Sequence, residues 1–227
     1  GAFYLVSGAV LIAAARRKTN SGQEKKFQFL GGMLLALSAW TRPEGIYLVL
    51  GLLTVSAIWY TDFGRKGPGN FPWRPALFPA LIWLIWLLTS RTFYKLAPGS
   101  SGFLEYLQGE FAQGRFRLGD LGQIFAYTAK HWISPQTWGT AGVGALLLWI
   151  FAGFRQKKEL GAETFFAAAG AVCVLVMAGM YYAFAFEPVH ELDWWLTSGF
   201  NRMILPGMLL IWLSGAEVMG KSLNGSS

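Results

Sequence analysis

The chain has one cysteine and two histidines among its 227 residues. Cys173 has no second thiol to pair with, so an intrachain disulfide is excluded; within the apolar run Ala162 to Phe186 it reads as a small core residue. Charge is scarce too: 14% of the residues are Asp, Glu, Lys or Arg, against 54% hydrophobic ones. A water-soluble domain of this size cannot hide that much apolar surface, so a bilayer is the expected solvent and a large aqueous domain is excluded. Acidic residues number 12 against 19 basic ones. The net charge of +7 does not point to nucleic acid, because the basic residues fall in short clusters between apolar runs and not along one polar face. A Walker loop, a dinucleotide glycine fingerprint and Gly-x-Ser-x-Gly are all missing, which leaves cytosolic nucleotide chemistry unsupported.

What the chain does have is apolar runs, at Gly1 to Ala15, Phe27 to Thr41, Gly45 to Tyr60, Ala76 to Ser90, Thr140 to Phe154, Ala162 to Phe186 and Phe200 to Met219. Lipid leaves no backbone group unpaired and the spacing is too long for barrel strands, so each run is expected to be a helix. At about 20 residues per span, six or seven crossings fit. The expected fold is therefore all-α: a polytopic transmembrane helical bundle formed as one domain by residues 1–227. The segment 91–139 is expected on the outer face with short interfacial helices, at Leu104 to Leu107 and Leu121 to Ile133, anchored by Trp132 and Trp138. The first run is about five residues short of a comfortable span. Arg16, Arg17 and Lys18 follow it, whereas a signal peptide carries its charge in front, so the chain is expected to lack its beginning.

A single helix from Phe27 to Tyr60 would be about 50 Å long against a hydrocarbon core of about 30 Å. Thr41-Arg-Pro-Glu-Gly45 is expected to break it into a hairpin. That choice puts Arg16 to Lys18, Lys25 and Lys26 on the same side as Arg65, Lys66 and Arg74, then Arg155 to Lys158, then Lys221. All four basic groups are expected to be cytoplasmic. The outer face receives the Thr41 to Gly45 turn, the segment 91–139 and the loop Glu187 to Gly199.

Several groups on that outer face have chemistry beside a structural use. Thr41-Arg-Pro-Glu is a capping box, but Arg42 at the interface either snorkels to water or holds an anion such as a phosphate. Tyr94 and Lys95 suit an interfacial belt or a ligand site. Glu187 to Trp195 contains three carboxylates and His190, whose spacing to Glu191 and Asp193 suits solvated loop charge or a divalent metal. Arg202 stands two residues into the last run, shortly before Pro206, and needs a partner at that depth. Arg42, Lys95 and Arg202 thus converge on one leaflet, where a lipid-linked phosphate would satisfy all three.

The stretch Gly31 to Gly45, the segment Thr92-Phe-Tyr-Lys95 and Asn201-Arg-Met-Ile-Leu-Pro206 resemble motifs of the multi-span bacterial glycosyltransferases of the GT-C class. That class is related to the dolichyl-phosphate-mannose protein mannosyltransferases and the aminoarabinose transferases, and the resemblance covers nearly the whole chain. It implies a bacterial inner-membrane enzyme that moves a sugar from a polyprenyl-phosphate carrier to an acceptor hydroxyl at the non-cytoplasmic face, with no nucleic-acid partner. Arg202 and Lys95, supported by Arg42, would bind the donor phosphate. Glu191, Asp193, His190 and Tyr94 would position the acceptor or a metal. The chain departs from the pattern in two places: no alanine separates Tyr94 from Lys95, and the catalytic aspartate the class implies would lie upstream of Gly1, so this chain alone is expected to be inactive. A transporter or flippase for a lipid-linked or anionic substrate is the competing reading. It predicts an inverted repeat, and none is evident.

Overall fold

The computed structural model describes residues 1–16, 21–41, 45–61, 74–92, 116–134, 161–186 and 191–224, with single residues or pairs at 112, 143–144, 147 and 150. Among these the regular structure is all α-helical. The helices are α1 (Ala2–Arg16), α2 (Ser21–Thr41), α3 (Gly45–Thr61), α4 (Arg74–Thr92), α5 (Leu118–Ile133), α6 (Ala162–Phe184) and α7 (Leu192–Asn224). Two of them, α6 and α7, are long and apolar enough to cross a membrane; α1, Gly45–Tyr60 and Pro75–Ile85 are apolar but shorter.

The chain breaks where the charged, proline-containing turn predicts. α2 ends at Thr41 and α3 begins at Gly45, which packs directly on the last turns of α2: a β-carbon there would fall on the Ser38 carbonyl oxygen and 3.2 Å from the Ala39 α-carbon. At the other end of the pair the Tyr60 phenol lies beside Gln28 and Glu24, so α2 and α3 are antiparallel. Gly45→Ala is expected to lower the thermal midpoint of the purified protein clearly, because a backbone carbonyl cannot move aside as a flexible side chain can. A midpoint within a degree of wild type would show that Gly45 does not approach the Ser38 carbonyl as closely as that contact requires.

α1 runs antiparallel to α2, with Gly8 against Gly31 at one level and Ser38 Oγ donating to the Gly1 carbonyl (3.1 Å) at another. α4 packs on α2 through Pro75 against Gly32 and Phe78 edge-on to Phe29. α6 and α7 form a second antiparallel pair, joined where Gly170 and Gly207 face each other's carbonyls. α3 lies against the first half of α6, Trp59 stacked on Phe165 and Gly51 against Val172. One core joins α1, α2, α3 and the first half of α6 around Leu5, Leu35, Leu52 and Phe165. A second joins α5, the second half of α6 and the first half of α7 around Ile124, Tyr181, Leu196 and Phe200.

Charge collects at one end. The Arg16 guanidinium sits 4.3 Å over the Trp59 ring, Trp59 stacks on Phe165, and two residues earlier the buried Glu163 carboxylate accepts two 2.7 Å hydrogen bonds from Lys221 Nζ. Ser214 Oγ adds a bond to the Glu163 carbonyl (2.8 Å). Arg16 and Lys221 therefore share one end, along with Glu24, Lys25 and Lys26 in the first turns of α2. Arg17, Lys18, Arg65, Lys66 and Arg155 to Lys158 fall outside the described residues.

One expectation needs correction. Glu187 to Gly199 is not loop throughout: α7 starts at Leu192, because Leu192, Leu196, Phe200 and Ile204 recur every fourth residue and bury on α5 and α6. The helix expected over Leu121 to Ile133 forms, as α5, and it packs against α6 and α7, as its contacts show. Arg117 just ahead of it reaches the Ala185 carbonyl, Gln123 reaches Asp193, and Tyr127 and His131 reach Phe200. Its buried stripe of Ile124, Thr128 and Trp132 needs two helices to cover it. The short helix expected at Leu104 to Leu107 lies outside the described residues.

Candidate functional site

The end of the bundle opposite the Glu163–Lys221 pair is where α5 meets the C-terminal end of α6 and the start of α7. Arg117 builds the junction: its backbone N–H donates to Tyr182 Oη (3.1 Å) and its guanidinium donates to the Ala185 carbonyl (3.0 Å). The same guanidinium faces the Phe186 ring at 5.0 Å and the Asp120 carboxylate at 3.7 Å. One turn further along α5, Gln123 Nε2 donates to Asp193 Oδ1 (2.6 Å). Beneath these bonds lies an aromatic layer, with Tyr127 stacked on His131 (4.0 Å between centroids), both edge-on to Phe200, and Phe184 stacked on Trp195 (4.5 Å). Burial, and then the nearby Asp193 charge, push the Tyr127 phenol up from its usual range, so it stays a neutral O–H. His131 Nδ1 is buried with no hydrogen-bond partner among the described residues.

Of the residues singled out in the sequence, Arg42, Tyr94, Lys95 and His190 lie outside the described residues. Glu191 is exposed and its carbonyl accepts from the Trp194 and Trp195 N–H groups, starting α7. Asp193 is exposed in the first turn and bound to Gln123. Among the described residues no three His, Cys, Asp or Glu side chains gather as metal ligands. Arg202 is exposed on α7, and its one hydrogen bond among the described residues, at 3.4 Å, goes to the Ser198 carbonyl a turn back.

Arg202 does not pair with Asp193, and the helix explains why. The two are nine positions apart, which at about 100° per residue puts them on opposite sides of α7. Asp193 faces α5, and Arg202 faces away from the described bundle. Further along, Pro206 has no N–H to offer the Arg202 carbonyl, so the helix is weakened one turn beyond the arginine. Arg117, Gln123, Tyr127 and His131 escaped the sequence reading. The only signal for them was the apolar spacing of α5; their partners are some 65 to 70 residues away for Arg117 and Gln123.

No protein-family model, curated protein or solved structure matches this chain.

Proposed function

We propose that this chain is a multi-pass bacterial inner-membrane protein of the GT-C glycosyltransferase type, acting on a polyprenyl-phosphate-linked sugar at the non-cytoplasmic face, with Arg202 as the phosphate-binding residue. The observation that carries the proposal is Arg202 itself: an exposed guanidinium on a long apolar helix whose described partner is one backbone carbonyl. A guanidinium in that position attracts an anion, and its planar donor fork fits a phosphate. The lipid setting is supported by large side chains that point out of the described bundle, among them Leu30, Trp40, Leu50, Leu81 and Leu175, each at least half exposed. α7, at 33 residues, is about 50 Å long, more than the hydrocarbon thickness needs. Its first turns, with α5 beside them, would then stand at the outer headgroup level and Arg202 near the boundary. The basic end formed by Arg16, Lys25, Lys26 and Lys221 would lie in the cytoplasm.

The chemistry this implies is a displacement at the sugar's anomeric carbon. An acceptor hydroxyl, losing its proton to a carboxylate base, forms the new C–O bond as the bond to the carrier phosphate breaks. The phosphate leaves with the electron pair, and its growing negative charge is what a guanidinium stabilises. Glu191 stands exposed near that end of the bundle as a group that positions an acceptor, whereas Asp193 faces α5 and is bound to Gln123; Lys95 and Arg42 are further phosphate-binding candidates. The base is not assigned to any residue of this chain.

The test is direct binding of farnesyl phosphate to the 227-residue chain in lipid nanodiscs. Saturable binding, competed by inorganic pyrophosphate only weakly and by a longer polyprenyl phosphate strongly, is the expected result. Failure to bind any polyprenyl phosphate would remove the proposal. Transbilayer movement of the lipid with no sugar transfer would favour the flippase reading.

A further inference from the structure

We infer that the outward stripe of α7 from Arg202 to Trp194 is a sugar subsite in which the exposed indole of Trp194 stacks against the ring carried by the lipid phosphate. The inference rests on the phosphate reading of Arg202 and adds where the sugar lies. Trp194, Ser198 and Arg202 follow at every fourth position, so they rise along one face of the helix, and Thr197 and Asn201 widen that face. All five are exposed, in a helix whose other face is packed with Leu196, Phe200 and Ile204. Five polar or aromatic outward residues in succession give way, toward the Lys221 end, to an exposed Leu209. The face thus passes from apolar to cationic to hydroxylated to aromatic, the order of groups in a prenyl phosphate sugar read from its tail.

The spacing fits as well. Arg202 bends back along the helix, since its Nη2 lies 3.4 Å from the Ser198 carbonyl oxygen. A phosphate on that guanidinium therefore sits between the levels of Arg202 and Ser198, and Trp194 stands one to two turns away, about 6 to 10 Å, room for one pyranose ring. Thr197 Oγ1 donates to the Asp193 and Trp194 carbonyls (2.8 and 3.1 Å) and Ser198 Oγ to the Trp195 carbonyl (3.3 Å). With their protons turned to the backbone, these hydroxyls present lone pairs outward as acceptors for sugar hydroxyls. Trp194 is 47% exposed and stands edge-on to Trp195 at 4.9 Å between centroids. The C–H face of a pyranose covers such a ring by the same dispersion and quadrupole attraction that pairs aromatic side chains.

Binding of two kinds of probe to the full chain in nanodiscs tests this: farnesyl phosphate, and farnesyl phosphoryl esters of glucose, mannose and galactose. Wild type is expected to bind at least one sugar-bearing probe roughly three- to tenfold more tightly than the bare phosphate. Trp194→Ala should erase that preference while holding the bare phosphate as before, and Trp194→Phe should keep part of it. Arg202→Ala should weaken both probes. A Trp194→Ala protein that keeps the full sugar preference, or a wild type that shows none for any of the hexoses, overturns the subsite and leaves the phosphate reading standing. Undiminished binding of both probes by Arg202→Ala overturns the phosphate reading, and the subsite with it.

Discussion

Arg202→Ala is expected to weaken binding of a polyprenyl phosphate by roughly ten- to a hundredfold, the worth of one or two charge-assisted hydrogen bonds, without changing the thermal midpoint. The two halves of that result follow from different facts. The guanidinium is exposed and among the described residues makes a single long bond to its own helix, so removing it leaves no buried partner there unsatisfied and the fold is expected to lose almost nothing. A phosphate held there would lose its only described cation. Arg202→Lys keeps the charge but not the fork, and is expected to fall between the two. If Arg202 instead fixed the start of α7 by pairing with Asp193 or Glu191, the alanine variant would melt earlier and bind as before. Asp193 is already committed to Gln123 on the far side of the helix, which speaks against that pattern.

The second large effect belongs to the interface of α6 and α7. A β-carbon on Gly170 would come within 2.9 Å of the Gly207 carbonyl oxygen, and one on Gly207 within 3.1 Å of the Gly170 carbonyl oxygen. Neither oxygen can swing away, because each belongs to a helix backbone. Gly170→Leu and Gly207→Leu are each expected to push the pair apart and cost about 3 kcal/mol or more, at the upper end of overpacking penalties. Gly179, in the same helix as Gly170, has open space around its α-carbon, so Gly179→Ala is the control and should be neutral or stabilising by up to about 1 kcal/mol. Thermal unfolding in one detergent, read by circular dichroism, compares all three. Equal midpoints for Gly207→Leu and Gly179→Ala would mean that the helices do not approach as closely as the carbonyl contacts require.

The hairpin at Thr41 to Gly45 was legible because length alone rules out one helix there, and a charged Pro turn marks the spot. The start of α7 was not legible. Asp193, Trp194 and Trp195 look like outer loop when charge is the guide, and only the packing of Leu192 and Leu196 against another helix makes them helical. Arg202 could be singled out because an arginine inside an apolar run is costly wherever it goes. The Arg117 and Gln123 bonds could not, since each joins residues far apart in sequence and neither type is unusual in a polar segment. The six or seven expected spans came from the apolar runs and the length of the chain; two of the described helices meet the length and apolarity of a span, in part because the first six residues of α2, Ser21 to Lys26, include no apolar side chain.

The Glu163–Lys221 pair has a mechanical consequence. It ties the start of α6 to the far end of α7, while the backbone itself joins the two helices at 187–190. Fastened at both extremities, with the Gly170–Gly207 contact between, the two helices cannot open like scissors about their connected ends. Whatever displacement accompanies a ligand must then come from the pair pivoting as one lever on α1 to α3, or from α5 swinging off its flank. Spin labels at exposed Leu175 and Leu209 should keep a constant separation across such a movement, whereas a label at Phe125 on α5 should change its distance to either.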